Sequence, residues 1–344
     1  AQYKPQFVED GVILDLTEYI ERSEIFKLEN FFPVIAENIS YKGRYWGTPW
    51  GFNSTLWVAN TDLLNESGIA VPDYDWTVDD FREIARRVAR PDQQIFAING
   101  APITTNNGIQ WMQNWTGHGW IDESGRRAMV ASEGAVEMVD FWRELMLDFR
   151  AIPSNLAPRR SGANFLVTGD VAFQQLYSSE ITFQTAQLLQ QGTKPVNWEL
   201  VTYPKAPMGQ KHFAQGHLWT IASNHPNPDQ AWVLVEWLGS EAADYIWSSS
   251  RRTPPTMFKR EHWDAYNHDL PPEYRDKALD FIINVLYAGE YAQNFEYWPT
   301  YDPMLAIWTP AVNRVLRGEQ PARTAMEEAA RAMQAVLDEY WQGK

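Results

Sequence analysis

Residues 43–81 read GRYWGTPWGFNSTLWVANTDLLNESGIAVPDYDWTVDDF, and the order of signals along this stretch decides the fold. Up to Asn53 it is dense in Gly, Pro and Trp, a turn-rich composition. At Thr55–Ala59 it becomes strand-like. Thr77 then reads as a helix N-cap, with Asp80 three residues on as the acid of a capping box. Phe81, Ile84, Ala85 and Val88 follow at i, i+3, i+4 and i+7, one apolar helix face, and Pro91 stops it.

Outward from this stretch, strands and helices keep alternating. Residues 11–20 (GVILDLTEYI) are a short apolar run ending in a turn. Residues 132–149 predict the clearest helix: Ser132 caps it, and Val136, Val139, Trp142, Leu145, Met146 and Phe149 form its stripe. Strands are expected at 169–176, at 198–203 and at 217–222, the last entered through Gly216. Helices are expected from Pro228 to Leu238, from Pro272 to Leu286, and from Pro321, a residue allowed in a first turn, to Tyr340. The alternation argues for α/β architecture. The Pro- and Gly-rich stretches at 47–53, 204–216 and 298–303 are natural crossing points between two lobes.

Composition narrows the function. The chain of 344 residues holds 17 Trp, 15 Tyr and 16 Phe. Most of these rings belong in cores, but a surplus of Trp can also line a cleft that grips a flat, half-polar ligand such as a sugar ring. A formal charge of −15 argues against nucleic acid and against an anionic membrane surface, and fits a neutral or cationic ligand. No stretch approaches the ~18 apolar residues of a membrane-spanning helix. Absence of cysteine removes disulfides, thiolate metal sites and cysteine nucleophiles together.

The six histidines show no metal-ligand spacing; His212 and His217 lie five apart across a glycine, and no metal or cofactor is expected. No nucleophile elbow, phosphate loop or dinucleotide fingerprint occurs. Carboxylates are numerous, so counting alone leaves a glycosidase pair open, because such a pair is placed by the fold.

Several motifs, taken in order, resemble extracellular solute-binding proteins of the carbohydrate ABC importers, the family-1 group that includes maltose-binding protein. They begin with YWGTP at 45–49, a strand ending in Asn60, DLL at 62–64, Gly68, Pro72 and DWTVDDF at 75–81. NFLVTGDVAF at 164–173, GHLWTIASNHPNPDQAWVLVEWLGSEAA at 216–243 and DPMLAIWTPAVNRVLRGEQPARTAMEEA at 302–329 continue the pattern. Two departures stand out. Trp57-Val58-Ala59-Asn60 replaces the family's tyrosine-rich strand end, and Trp76-Thr77 reverses its Thr-Trp order.

The resemblance implies a two-lobed, periplasmic-binding-protein-like α/β fold of type II, its lobes joined by hinge crossings near Gly51–Asn53, Gly216 and Pro299–Pro303. One lobe would take residues 1–50 plus 217–298, and the other 54–215 plus 304–344. The family's opening strand, helix and strand have no counterpart before Tyr3–Ile20, so the first lobe is expected to be incomplete at its N-terminus. The resemblance further implies a periplasmic or extracellular monomer, or one lipid-anchored through a preceding segment. It would capture a carbohydrate, deliver it to an ABC transporter membrane permease, and carry out no chemistry and no direct membrane insertion.

Trp50 and Asn53 fall at the first crossing, where the family places ligand contacts. Trp308 lies in a segment that resembles one carrying a sugar-stacking tryptophan, and Tyr177 follows the GDVA strand, where relatives offer an aromatic. Trp111, Trp219 and Trp298 are further candidates, with Gln110 and Gln175 as polar partners close to them in sequence. Two other readings stand beside this one: a glycoside-active enzyme with the same aromatic cleft, and the same fold binding a cationic ligand such as a polyamine.

Overall fold

The computed structural model describes residues 3–153, 165–251, 254–289, 291–294 and 298–343. Among these the strands are β1 (Ser40–Tyr41), β2 (Arg44–Tyr45), β3 (Thr48–Asn60), β4 (Phe96–Ile98), β5 (Val171–Tyr177), β6 (Trp198–Val201), β7 (His212–Trp219) and β8 (Ala292–Asn294). The chain divides into two compact units, each assembled from three separate segments.

The first unit comprises Ala1–Thr55, Tyr177–Ala186 and His212–Pro299. The first part of β3 pairs antiparallel with β7, from Thr48 opposite Trp219 to Ser54 opposite Ala214. β8 runs parallel on the far side of β7. The Gly- and Pro-rich passage before Thr55, read as turns from composition, is therefore strand. Pro49 sits where the register slips, between Pro49 and Gly51, a place where a residue without an N–H costs the ladder little.

Gly216 likewise lies inside β7 rather than at its entrance. A Cβ there would meet Asn38 Oδ1 at 2.3 Å and Phe52 at 3.0 Å, so the glycine permits close packing over the strand. β7 ends at Trp219, and residues 220–222 lie beyond it. The core of this unit is aromatic: the Phe32 ring lies 4.9 Å from Tyr287 and 6.4 Å from Trp263, and Phe52 lies 5.6 Å from Tyr287.

Helices Pro228–Leu238, Glu241–Ser249, Arg260–Tyr266 and Pro272–Leu279 cover this sheet's unit. The Ser240 hydroxyl caps the second of them by accepting from Ala243 N. The last widens into a π-helical stretch, Asp280–Tyr287, where an uninterrupted α-helix was expected.

The second unit comprises Leu56–Leu176, Gln187–Lys211 and Thr300–Lys344. Here the end of β3 pairs antiparallel with β6, from Trp57 opposite Val201 to Asn60 opposite Trp198. β5 neighbours β3, and β4 runs parallel to β5. A short helix, Phe165–Thr168, and a left-handed Gly169 (φ +63°) precede β5, so the strand expected from 169 starts at Val171. Asn164, the first residue of the motif quoted there, lies outside the described residues.

Trp57 is the hub of this unit's core. It is fully buried, with Phe81, Phe173, Trp76, Tyr203 and Trp111 all centred within 4.8–6.0 Å. Helix Val78–Val88 docks there through Phe81, Ala85 and Val88. Its capping box is formed as read: Thr77 Oγ1 accepts from Asp80 N at 3.1 Å, and Asp80 accepts from Thr77 N at 2.8 Å. Helix Glu133–Arg143 continues into a π-helical turn, Glu144–Asp148. Helices Tyr301–Leu316 and Ala322–Gln342 pack on each other and on Glu133–Arg143.

Candidate functional site

A pocket of about 250 Å³ lies within the first unit. β3 contributes Trp50, Gly51, Phe52 and Asn53, β7 contributes His217, and the start of helix Ser178–Gln190 contributes Ser179, Glu180 and Phe183. Arg251, Pro254 and Tyr266 close the remaining side.

The aromatic wall follows from strand pairing. His217 pairs with Gly51 and Trp219 with Thr48, which sets both rings beside Trp50. The Trp50 ring lies 5.0 Å from His217, 5.4 Å from Trp219 and 6.2 Å from Trp247, the last reaching in from helix Glu241–Ser249. Trp50 and Trp219 are half-buried, so part of each ring still faces outward.

The polar side of the pocket is equally fixed. Asn53 Oδ1 accepts from Ser178 Oγ at 3.1 Å and from Ser179 N at 3.2 Å, which pins the amide while leaving its NH₂ to donate elsewhere. Glu180 accepts from Tyr177 N at 2.7 Å. The Arg251 guanidinium pairs with Asp269 and sits 5.5 Å and 5.8 Å from the Tyr266 and Phe183 ring centres. Its Nε and Nη2 are shielded from solvent and have no hydrogen-bond partner among the described residues.

Although His217 as a residue is exposed, partial desolvation of its imidazole against the pocket wall holds it below its ordinary range, so the neutral form dominates at pH 7. Burial pushes the Tyr266 hydroxyl up to about 12, partly opposed by Arg251. Tyr266 therefore acts as a neutral group. The arrangement can stack a flat ring on Trp50 and donate a hydrogen bond from the Asn53 amide. Glu180 is the single carboxylate among the described lining residues.

Of the residues expected at the site, the pocket brings together Trp50 and Asn53, with Trp219 joined through its ring contact. Trp298, also in the first unit, is exposed and does not line the pocket. Tyr177 is half-buried and does not line the pocket, but its backbone N–H donates to Glu180, which does.

The remaining four belong to the second unit. Gln175 is half-buried. Gln110 and Trp111 are fully buried, Trp111 stacking on Tyr203 at 5.3 Å. Trp308 is also fully buried: its Nε1 donates to Ile103 O at 2.8 Å, and its ring lies 5.3 Å from Trp120. Trp111 and Trp308 thus have no exposed face through which to stack on a ligand in this structure.

Sequence reasoning passed over His217, Arg251, Ser179, Phe183 and Tyr266. His217 follows Gly216 in a motif already quoted, which was a usable signal. The others come from distant segments and carry no local one.

A family model described as bacterial extracellular solute-binding protein matches residues 1–266. A maltotriose-binding protein of Pyrococcus abyssi is 21% identical over 326 residues, covering 92% of this chain and 64% of its own length. The chain thus spans about two thirds of that relative. Among solved structures, the sugar-binding protein MalE of Xanthomonas citri superposes with a TM-score of 0.79 at 17% identity, covering 99% of this chain and 83% of that one. An ABC substrate-binding protein of Listeria monocytogenes, solved with cycloalternan, gives 0.77 at 16% identity, covering 97% and 82%. These likenesses confirm the α/β binding-protein fold that the motifs implied. With a family match across more than three quarters of its length, the chain belongs to the bacterial extracellular solute-binding proteins.

Proposed function

We propose that this protein captures a neutral saccharide outside the cytoplasm and delivers it to the membrane permease of an ABC importer, as a monomer. The observation that carries the reading is a pocket lined by Trp50, His217, Asn53 and Arg251, with the Trp50 ring backed by Trp219 and Trp247. A sugar ring offers a C–H face to the Trp50 ring and a hydroxyl rim to the Asn53 amide. Maltotriose, for which one relative is named, and cycloalternan, with which another was solved, are of this class.

Capture by hinge motion between two lobes belongs to the same proposal. The compact units support a division close to residues 1–50 plus 217–298 and 54–215 plus 304–344, with Tyr177–Ala186 grouping with the first. Family membership supports a binding role without catalysis. A glycosidase works through a pair of carboxylates, and Glu180 is the single carboxylate among the described lining residues. Arg251 in the pocket disfavours a polyamine.

Thermal-shift screening against mono- and oligosaccharides, with spermidine as a contrast, tests the proposal. A saccharide at 100 times its dissociation constant stabilises the native state by about 2.7 kcal/mol. Stabilisation by spermidine and by no saccharide would overturn the ligand class. Shortened oligosaccharide products would overturn the binding-only role.

A further inference from the structure

We propose that Glu241, Glu261 and His262 form a site for a divalent transition-metal ion, with Asp244 as the residue that orients the imidazole. One ligand atom from each of the three lies within 4.8 Å of the others. All four residues belong to the first unit, on helices Glu241–Ser249 and Arg260–Tyr266, and none of them lines the pocket described above.

The second observation is the state of the imidazole. His262 is 1% exposed, and its Nδ1 is bonded to Asp244 Oδ2 at 2.6 Å. Asp244 is itself held in place: its Oδ1 accepts from Thr256 N at 2.9 Å and from Thr256 Oγ1 at 2.7 Å. The carboxylate therefore fixes the tautomer with the proton on Nδ1. Nε2 then carries the lone pair, and among the described residues no hydrogen bond to it is seen. A buried imidazole held on one nitrogen by a carboxylate and open on the other is the arrangement that orients metal-binding histidines.

One imidazole and two carboxylates suit a first-row divalent ion such as Zn²⁺, with water completing four-coordination. Lys259 ion-pairs with Glu241 through Oε2 and is the local competitor for the ion. A merely structural Asp244–His262 pair would leave Lys259 without influence on metal affinity.

The test uses the full chain, free of affinity tags and stripped with chelator, titrated with Zn²⁺ by calorimetry and with Co²⁺ by visible absorption. One ion per chain is expected, with a tetrahedral Co²⁺ spectrum. Glu241→Gln and Glu261→Gln, at carboxylates that reach the surface, should each weaken Zn²⁺ at least tenfold. Asp244→Asn should weaken it by about 10- to 100-fold. Lys259→Ala should tighten it several-fold, and a His225→Ala/His268→Ala double variant should leave it unchanged. Absence of stoichiometric binding, or binding that survives the Glu241→Gln/Glu261→Gln pair, overturns the proposal. Since these residues lie outside the pocket, saccharide affinity of the same variants reports separately on the proposed function.

Discussion

The indole of Trp50 lies against the imidazole of His217, their centres 5.0 Å apart and their planes tilted by 34°. The antiparallel pairing of β3 with β7 builds this contact, because His217 faces Gly51, the residue next to Trp50. With no side chain at Gly51, the imidazole can lean toward Trp50.

In the proposed function Trp50 is the pocket's stacking platform. Trp50→Ala should weaken saccharide binding by ~2 kcal/mol or more, the scale of an interface hot spot, and Trp50→Phe by less. Titration calorimetry with the saccharide found in the screen checks this. Equal affinity in parent and Trp50→Ala removes the platform role.

His217 gives the binding a pH dependence whose sign follows from burial. Burial lowers its pKa from 6.5, and a ligand covering it would lower it further. The complex then binds fewer protons than the free protein, so affinity is full where His217 of the free protein is neutral and falls as the pH drops through its lowered pKa, which lies below 6.5. A His217→Gln variant should lose the dependence. Affinity that rises on acidification would show that the protonated ring, and not the neutral one, meets the ligand.

Gly216→Ala tests the close packing over β7. The added methyl would meet Asn38 Oδ1 at 2.3 Å and Phe52 Cδ2 at 3.0 Å, and backbone pairing with Phe52 restricts any escape. Overpacking of this kind costs about 1–3 kcal/mol. Urea unfolding followed by fluorescence should show a lower midpoint with an unchanged slope.

Local signals were legible in the sequence, and non-local ones were not. The Thr77–Asp80 capping box needs residues three apart, and it was read correctly. Gly216 was seen, but as the entrance to a strand and a crossing point, because its reason lies in Asn38, far away in sequence. The π-helical stretches at Glu144–Asp148 and Asp280–Tyr287 keep apolar patterns close to those of α-helices, so periodicity could not separate them. At the pocket, Trp50 and Asn53 were readable from motif position. Arg251 was not, because only the fold brings it to β3. Trp308 could have been read as core: Met304, Trp308, Ala311, Val312 and Val315 fall on one helix face, and all are buried.

His212 predicts how stability changes with pH. It is fully buried, and its Nδ1 donates to Thr55 O at 2.7 Å. Burial lowers its pKa to about 3, only partly offset by that hydrogen bond. The unfolded chain takes up a proton near pH 6.5 while the folded one does not. Stability is therefore intact above about pH 6.5 and falls progressively between there and about pH 3. Denaturant midpoints of the parent should fall across this window, and those of His212→Gln should fall less. An identical slope in both would assign acid sensitivity to other groups.

Trp308 separates packing from recognition. Its ring is fully buried, its N–H is bonded to Ile103 O, and a methyl on Gly108 would come within 2.8 Å of its Nε1. Trp308→Ala removes that bond and opens a large cavity, a loss of about 3–5 kcal/mol of stability. The variant should thus melt well below the parent. Measured at a temperature where circular dichroism shows it still folded, its saccharide affinity should match the parent's. A parent-like melting temperature would contradict the core placement. A folded variant with affinity reduced tenfold would return Trp308 to the binding site.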